Sequence, residues 1–221
     1  MPSGKRVSRE RGLPVVDWVT VTRSCLDPDA VLRRIELPVF VKPANLGSSV
    51  GISKARTREQ LRAALATAAE FDRKIIVERA IEGRELECAV LGNDAPIASP
   101  PCEIFPSRDF YDYEDKYLLD EARFQVPANL TPEQTVELRR LAVECYRAVE
   151  CEGMARVDFF LERSTDRLYI NEVNTIPGFT SISMFPRMWA ADGLAFPQLI
   201  DRLIALALER HKDREATRYR R

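Results

Sequence analysis

A single histidine stands among the 221 residues, His211, in the polar and basic stretch "ERHKDREATRYRR". A Ser-His-Asp or Cys-His mechanism would have to rest on that one imidazole, so the chemistry is better sought among carboxylates, lysine, arginine, tyrosine or a bound metal. The five cysteines are odd in number and no two are separated by two residues. That spacing argues against a disulfide framework or a zinc knuckle, and the thiols read as mostly buried small hydrophobes. No apolar run is long enough to span a bilayer, and the amino-terminal "MPSGKRVSRERG" lacks the apolar core of a signal peptide. No membrane partner and a cytoplasmic location are therefore expected. Charge of one sign is missing too: 33 basic residues face 34 acidic ones, a net charge of −1. Nothing global points to nucleic acid, and partners must be read from local sites.

What is present is a mixture of strand and helix signals. "LPVVDWVTV", "LPVFVKP" at 37–43 and "KIIVERAI" read as strands. "TREQLRAALATAAEFD" opens with Thr57 and Gln60 as a capping box and continues with Leu61, Ala64, Leu65 and Ala68 at helical spacing. "RELECAVLGN" and "APIASPPCEIF" read as an antiparallel pair turned at Gly92-Asn93-Asp94. The polar, aromatic "PSRDFYDYEDKYLLDEARF" is longer than ordinary connections and suits a lid or binding loop. "LTPEQTVELRRLAVECYRAVE" begins with Thr131 as N-cap and Pro132 at the first helical position. "FPQLIDRLIALALERH" supplies a closing helix with Leu199, Ile200, Leu203 and Ile204 expected inward. Helices and mostly antiparallel hairpins imply an α+β class, with a seam near 80–83 that divides the chain into units 1–82 and 83–221.

The stretch "ARVDFFLERSTDRLYINEVNTIPGFT" is the most informative. Its runs 157–161 and 168–173 read as the strands of a buried hairpin, yet they carry Arg156, Asp158, Asn171, Glu172 and Asn174. Charges are costly to bury unless they are paired or hold a metal. Alternate side chains share a face, so Arg156 and Asp158 point one way, as do Glu172 and Asn174. If the strands pair, Asp158, Glu172 and Asn174 converge as hard oxygen ligands suited to magnesium. A salt-bridged hairpin, with Arg156 paired to an acid, fits the same residues. "KPANLGSSVG" places glycines and serines directly after a strand, a composition that wraps phosphate oxygens or simply makes a turn; it lacks the P-loop spacing. Lys42, just before it, suits a nucleotide phosphate as a compact charge, or a solvated strand end. In "VERAIEGRE", Glu78 and Glu85 could accept hydrogen bonds from an adenine and a ribose while the backbone between reads the base, or could form a solvated acidic turn.

The order of these motifs, Lys42 with "GSSVG", Glu78 and Glu85, "FYDYEDKY", "GMARVDFF" and "INEVNTIPGFTSISMFP", closely resembles the D-alanine-D-alanine ligase family of the ATP-grasp superfamily. The resemblance implies two α+β subdomains gripping ATP, the small one at 1–82 and the large one at 83–221, and the joining of two D-alanines for peptidoglycan synthesis. It implies that Lys42 and Lys116 contact nucleotide phosphates, that Glu78 and Glu85 hold adenine and ribose, and that the backbone of Ala80 and Ile81 lines the base pocket. Asp158, Glu172 and Asn174 match ligands of Mg2+ or Mn2+, two ions in the family. Arg156 and the Gly178 N–H match the oxyanion-stabilising pair, Ser183 matches the holder of the second amino acid's carboxylate, and Ser48 and Tyr117 match a network that closes the lid. Relatives that use D-lactate carry a histidine in the lid; "YEDKY" has Tyr117 instead, which favours an amine nucleophile. The family's ligases also have an amino-terminal domain that contacts the first D-alanine and supports homodimers, and this sequence lacks it. Two expectations follow: a ligase, or an ATP-grasp nucleotide-binding or interaction module without turnover.

Overall fold

The computed structural model describes residues 2–46, 50–105, 123–180 and 183–216. Its described elements run α1 (Pro2–Glu10), β1 (Trp18–Thr22), α2 (Pro28–Leu32), β2 (Val39–Pro43), β3 (Ser53–Ala55), α3 (Arg58–Phe71) and β4 (Lys74–Arg79). They continue with β5 (Gly83–Gly92), β6 (Ile97–Ala98), β7 (Cys102–Phe105), β8 (Arg123–Gln125), α4 (Pro132–Ala148), β9 (Gly153–Glu162), β10 (Leu168–Asn174), α5 (Met184–Ala191) and α6 (Phe196–Ala216). The strands form two sheets, one ordered β1-β4-β2-β3 and one ordered β10-β9-β5-β7-β8 with β6 on β5. All pairings between these strands are antiparallel, as the hairpin-rich sequence predicts. The class is α+β.

Alternation explains how each sheet divides its faces. In the smaller sheet Val39, Val41, Ile75 and Val77 join Leu61, Leu65 and Ala68 of α3 in one core. The intervening Phe40, Lys42, Ile76 and Glu78 therefore lie on the opposite face, with Phe40 directly across from Glu78 and Lys42 across from Ile76. In the larger sheet Leu86, Cys88, Val90, Ala155, Val157 and Phe159 pack on Leu138, Leu141 and Cys145 of α4. The other face is apolar at one end, where Ala89 and Leu91 meet α5 and α6. At its opposite end it carries Glu85, Glu87, Arg156 and Asp158.

The structure differs from the sequence reading at three places. Residues 1–82 are not one packing unit, because Leu13 and Val15 bury in the core of the larger sheet. Val15 bridges Ile170 in parallel, and the Ile170 N–H donates to the Pro14 carbonyl at 2.7 Å. At the start of α3 the Thr57 hydroxyl accepts from the Gln60 N–H, but the Gln60 side chain takes the Arg56 N–H rather than that of Thr57, so the box is shifted by one residue. In α6 it is Leu199 and Leu206 that are buried, while Ile204 is 54% exposed, since only one side of this doubly apolar helix meets the sheet.

The change of sheet falls between β4 and β5 and depends on close approach. A Cβ on Gly83 would lie 2.1 Å from the Leu161 carbonyl oxygen, so only glycine lets β5 start against β9 there. Arg79 then ties the end of β4 to the larger sheet through Glu162, at 2.6 Å.

Candidate active site

A β-bulge decides which way the hairpin's polar groups face. Up to Ile170, β10 pairs regularly with β9, Ile170 opposite Phe159; one step later the partner of Asp158 is Glu172, not Asn171. The extra residue shifts the phase of alternation. Ile170 faces the core and so does Val173, which leaves Asn171 and Glu172 together on the polar face. In a regular strand Glu172 would share the core face of Ile170. Because of the bulge, Glu172 stands directly across from Asp158 and Asn174 across from Arg156. The Asn174 amide reaches the Asp158 carboxylate at 2.9 Å. The hairpin thus brings Asp158, Glu172 and Asn174 to one face, with the Asn174 nitrogen toward Asp158.

Arg156 is held in a fork. Its Nε and a terminal nitrogen donate to the two Asp158 oxygens at 2.6 and 2.7 Å, and its Nε is 3.2 Å from Glu87 on β5. Burial opposes the guanidinium charge, but Asp158 and then Glu87 outweigh it and raise the pKa. Glu87, 5% exposed and directly opposite both Asp158 and Cys102, escaped the sequence reading. Its signal was available, because Glu85 and Glu87 alternate onto one face.

The smaller sheet forms the facing wall. Lys42 Nζ lies 2.7 Å from one Glu78 oxygen and 3.5 Å from the Asn171 side-chain oxygen. The other Glu78 oxygen lies 3.0 Å from Nζ of Lys5, contributed by α1. Burial alone would raise the Glu78 pKa, yet attraction to Lys42 and then Lys5 overcomes it and holds the carboxyl at about 2, against an ordinary 4.5. Lys42 also stays charged: burial works to lower it, but Glu78, then Glu172, outweigh that and raise it. Burial pushes the ammonium of Lys5 down.

A folded-state pKa below the unfolded one stabilises the protein fully above about pH 4.5 and loses that contribution as pH falls toward 2. The depression corresponds to about 3 kcal/mol. Unfolding stability followed from pH 6 to pH 3 is expected to fall more steeply in the wild type than in Glu78→Gln, and parallel curves would refute this ion cluster.

The loop after β10 brings a third group of residues together. The Ser183 hydroxyl accepts the Thr180 N–H at 3.0 Å and sits 2.9 Å from the Thr180 hydroxyl, although Ser183 is the N-cap of α5. A Cβ on Gly178 would lie 2.9 Å from Ser183 Oγ, so a side chain there would push on the serine. Glu85 is half-buried opposite Phe160 and Ile104. The Ala80 N–H donates to the Pro38 carbonyl at 3.0 Å, so recognition of a base would fall to the Ala80 carbonyl or to Ile81. Ser48, Lys116 and Tyr117 lie outside the described residues.

Among the described residues no three His, Cys, Asp or Glu side chains form a metal cluster. The candidate set is instead two carboxylates and an amide, hard oxygen donors that suit magnesium, which keeps waters and shares substrate phosphate oxygens. Asp158, Glu172 and Asn174 fit such an ion.

The family model described as "D-ala D-ala ligase C-terminus" matches residues 7–205. This chain belongs to that family. It is 68% identical over 217 residues to the D-alanine--D-alanine ligase of Solibacter usitatus, covering 98% of this chain and 67% of that protein. The D-alanine--D-alanine ligase of Acetivibrio thermocellus is 49% identical, with coverage of 95% and 57%. Among solved structures, the D-alanine-D-alanine ligase from Coxiella burnetii matches with a TM-score of 0.84 and 40% identity, covering 96% of this chain and 57% of that one. The VanG D-Ala:D-Ser ligase from Enterococcus faecalis matches with a TM-score of 0.82 and 39% identity, at 93% and 60%. The chain thus spans about two thirds or less of the lengths of these ligases, and its fold is the ATP-grasp ligase fold.

Two further residues of this candidate site were not foreseen. Asn171 was noticed only as a polar misfit; its signal is the phase break in Leu168, Ile170 and Val173, spaced two and then three apart. Lys5 left no signal of that kind, because the buried side of α1 bears Lys5 and Ser8 instead of an apolar stripe.

Proposed function

We propose that this chain carries the nucleotide- and metal-binding part of an ATP-dependent ligase that joins two D-alanines through an acyl phosphate to supply peptidoglycan precursors. The observation that carries the reading is the bulged hairpin, which gathers Asp158, Glu172, Asn174 and Arg156 on one polar face opposite the Lys42–Glu78 pair. Bound magnesium or manganese, as one or two ions, would neutralise ATP phosphate charge during transfer of the γ-phosphoryl group to the first D-alanine carboxylate.

The chain's own residues do the rest. Lys42 draws on the phosphates, together with Lys116. Glu78, Glu85 and the backbone at Ala80 and Ile81 hold adenine and ribose. The amine of the second D-alanine attacks the acyl phosphate carbonyl, and the Arg156 guanidinium with the Gly178 N–H stabilises the tetrahedral oxyanion until phosphate leaves; each well-aimed donor is worth about 3–4 kcal/mol. Ser183 holds the carboxylate of that second D-alanine at the start of α5, where the helix end favours an anion. Ser48 and Tyr117 close the lid and keep water from the acyl phosphate. Among the described residues no helix is long and apolar enough to cross a membrane, and a cytoplasmic location suits the proposed substrates.

The test is phosphate release from ATP and Mg2+ by the purified protein. D-alanine is expected to stimulate it, with D-alanyl-D-alanine formed in equal amount, and D-lactate is not. ATP binding without any stimulation by D-alanine, with the amino-terminal domain of a relative added as well as without it, would retire the ligase reading and leave a nucleotide-binding module.

A further inference from the structure

The Glu78 carboxylate is gripped from two sides by unequal partners. Lys42 belongs to the same sheet, and its side chain is 14% exposed. Lys5 comes from a helix outside that sheet and its side chain is 3% exposed. Among the described residues neither Lys5 Nζ nor Glu78 Oε1 has an aligned hydrogen-bond partner, although the two atoms are only 3.0 Å apart. The contact is a buried ion pair, costly to break from either side.

If Lys42 turns toward nucleotide phosphates, Glu78 loses its nearer counter-ion. A buried carboxylate left alone either protonates or is strongly destabilised, and in either case it is a poorer acceptor for an amino group. Lys5 is buried and keeps its place beside the carboxylate whichever way Lys42 points. We propose that Lys5 is a positioning residue that keeps Glu78 oriented and ionised while the nucleotide engages Lys42, so that adenine recognition and phosphate neutralisation can occur together. This inference rests on the reading of Glu78 and Lys42 as nucleotide contacts.

The experiment is calorimetric titration of the 221-residue chain with ADP and, separately, with inorganic tripolyphosphate. Lys5→Met is expected to weaken ADP binding by about tenfold while changing tripolyphosphate binding by less than about twofold, because its effect passes through the adenine contact. Lys42→Met should weaken both ligands. The double variant Lys5→Met/Glu78→Gln should bind ADP no more weakly than Glu78→Gln alone, since Lys5 has nothing left to act through. Lys5→Gln carries the same comparison should Lys5→Met fail to fold, with thermal melting as the check. ADP binding unchanged in the Lys5 variants, or losses that simply add in the double variant, would overturn the inference. If Lys42→Met and Glu78→Gln weaken ADP binding while the Lys5 variants do not, only the role of Lys5 falls. If none of them matters, the nucleotide site falls with it.

Discussion

Arg156→Leu is expected to damage both stability and chemistry. The guanidinium is the counter-ion shared by Asp158 and Glu87, whose side chains are 14% and 6% exposed. Removing one partner of such a buried cluster leaves carboxylates facing one another without compensation, which typically costs about 3–5 kcal/mol. Arg156→Lys should recover part of that loss, because an ammonium restores the charge but cannot reproduce two parallel N–H bonds to Asp158. Under the proposed mechanism the leucine variant also loses an oxyanion donor and should fall by about a hundredfold or more in D-alanine-dependent phosphate release. Urea unfolding and the phosphate assay read the two effects separately. A leucine variant with wild-type stability would remove the fork as a structural element, and wild-type turnover would remove Arg156 from the reaction.

Glu172→Gln should show the opposite balance. Glutamine keeps the size of the side chain and the polar face of the bulged strand, so unfolding stability should move by no more than about 1 kcal/mol. Phosphoryl transfer should drop by at least about a hundredfold, since an amide lacks the carboxylate's negative charge toward a divalent cation and the charge set against Lys42 and Arg156 changes as well. Raising the Mg2+ concentration should recover some activity if the defect lies in metal affinity. Undiminished phosphate release at low Mg2+ would take Glu172 out of the metal set.

The parts of this fold that could be read from sequence were those governed by neighbours along the chain. The Thr131 cap, with Pro132 behind it, is a complete capping box whose residues lie within one turn. The alternation in 153–162 places Val157 and Phe159 inward with Arg156 and Asp158 outward, as counting by twos predicts. What escaped was set by packing at a distance. The helix α1 has no apolar stripe to announce it, because its inward residues Lys5 and Ser8 meet Glu78 and Cys145 far along the chain. Counting by twos also fails in β10, where Glu172 would follow Ile170 into the core. The convergence expected of Asp158, Glu172 and Asn174 occurs only through an inserted residue whose register is visible once both strands are paired.

That insertion gives two consecutive side chains to one side of a strand, and the two answer to different walls. Asn171 is the neighbour of Lys42 on the small sheet, while Glu172 is the neighbour of Asp158 on the large one. Any movement that separates the two sheets here must therefore either part Lys42 from Asn171, 3.5 Å away, or pull on the backbone one residue away from a proposed metal ligand. The spacing of the two sheets and the aim of that carboxylate are linked through a single peptide unit.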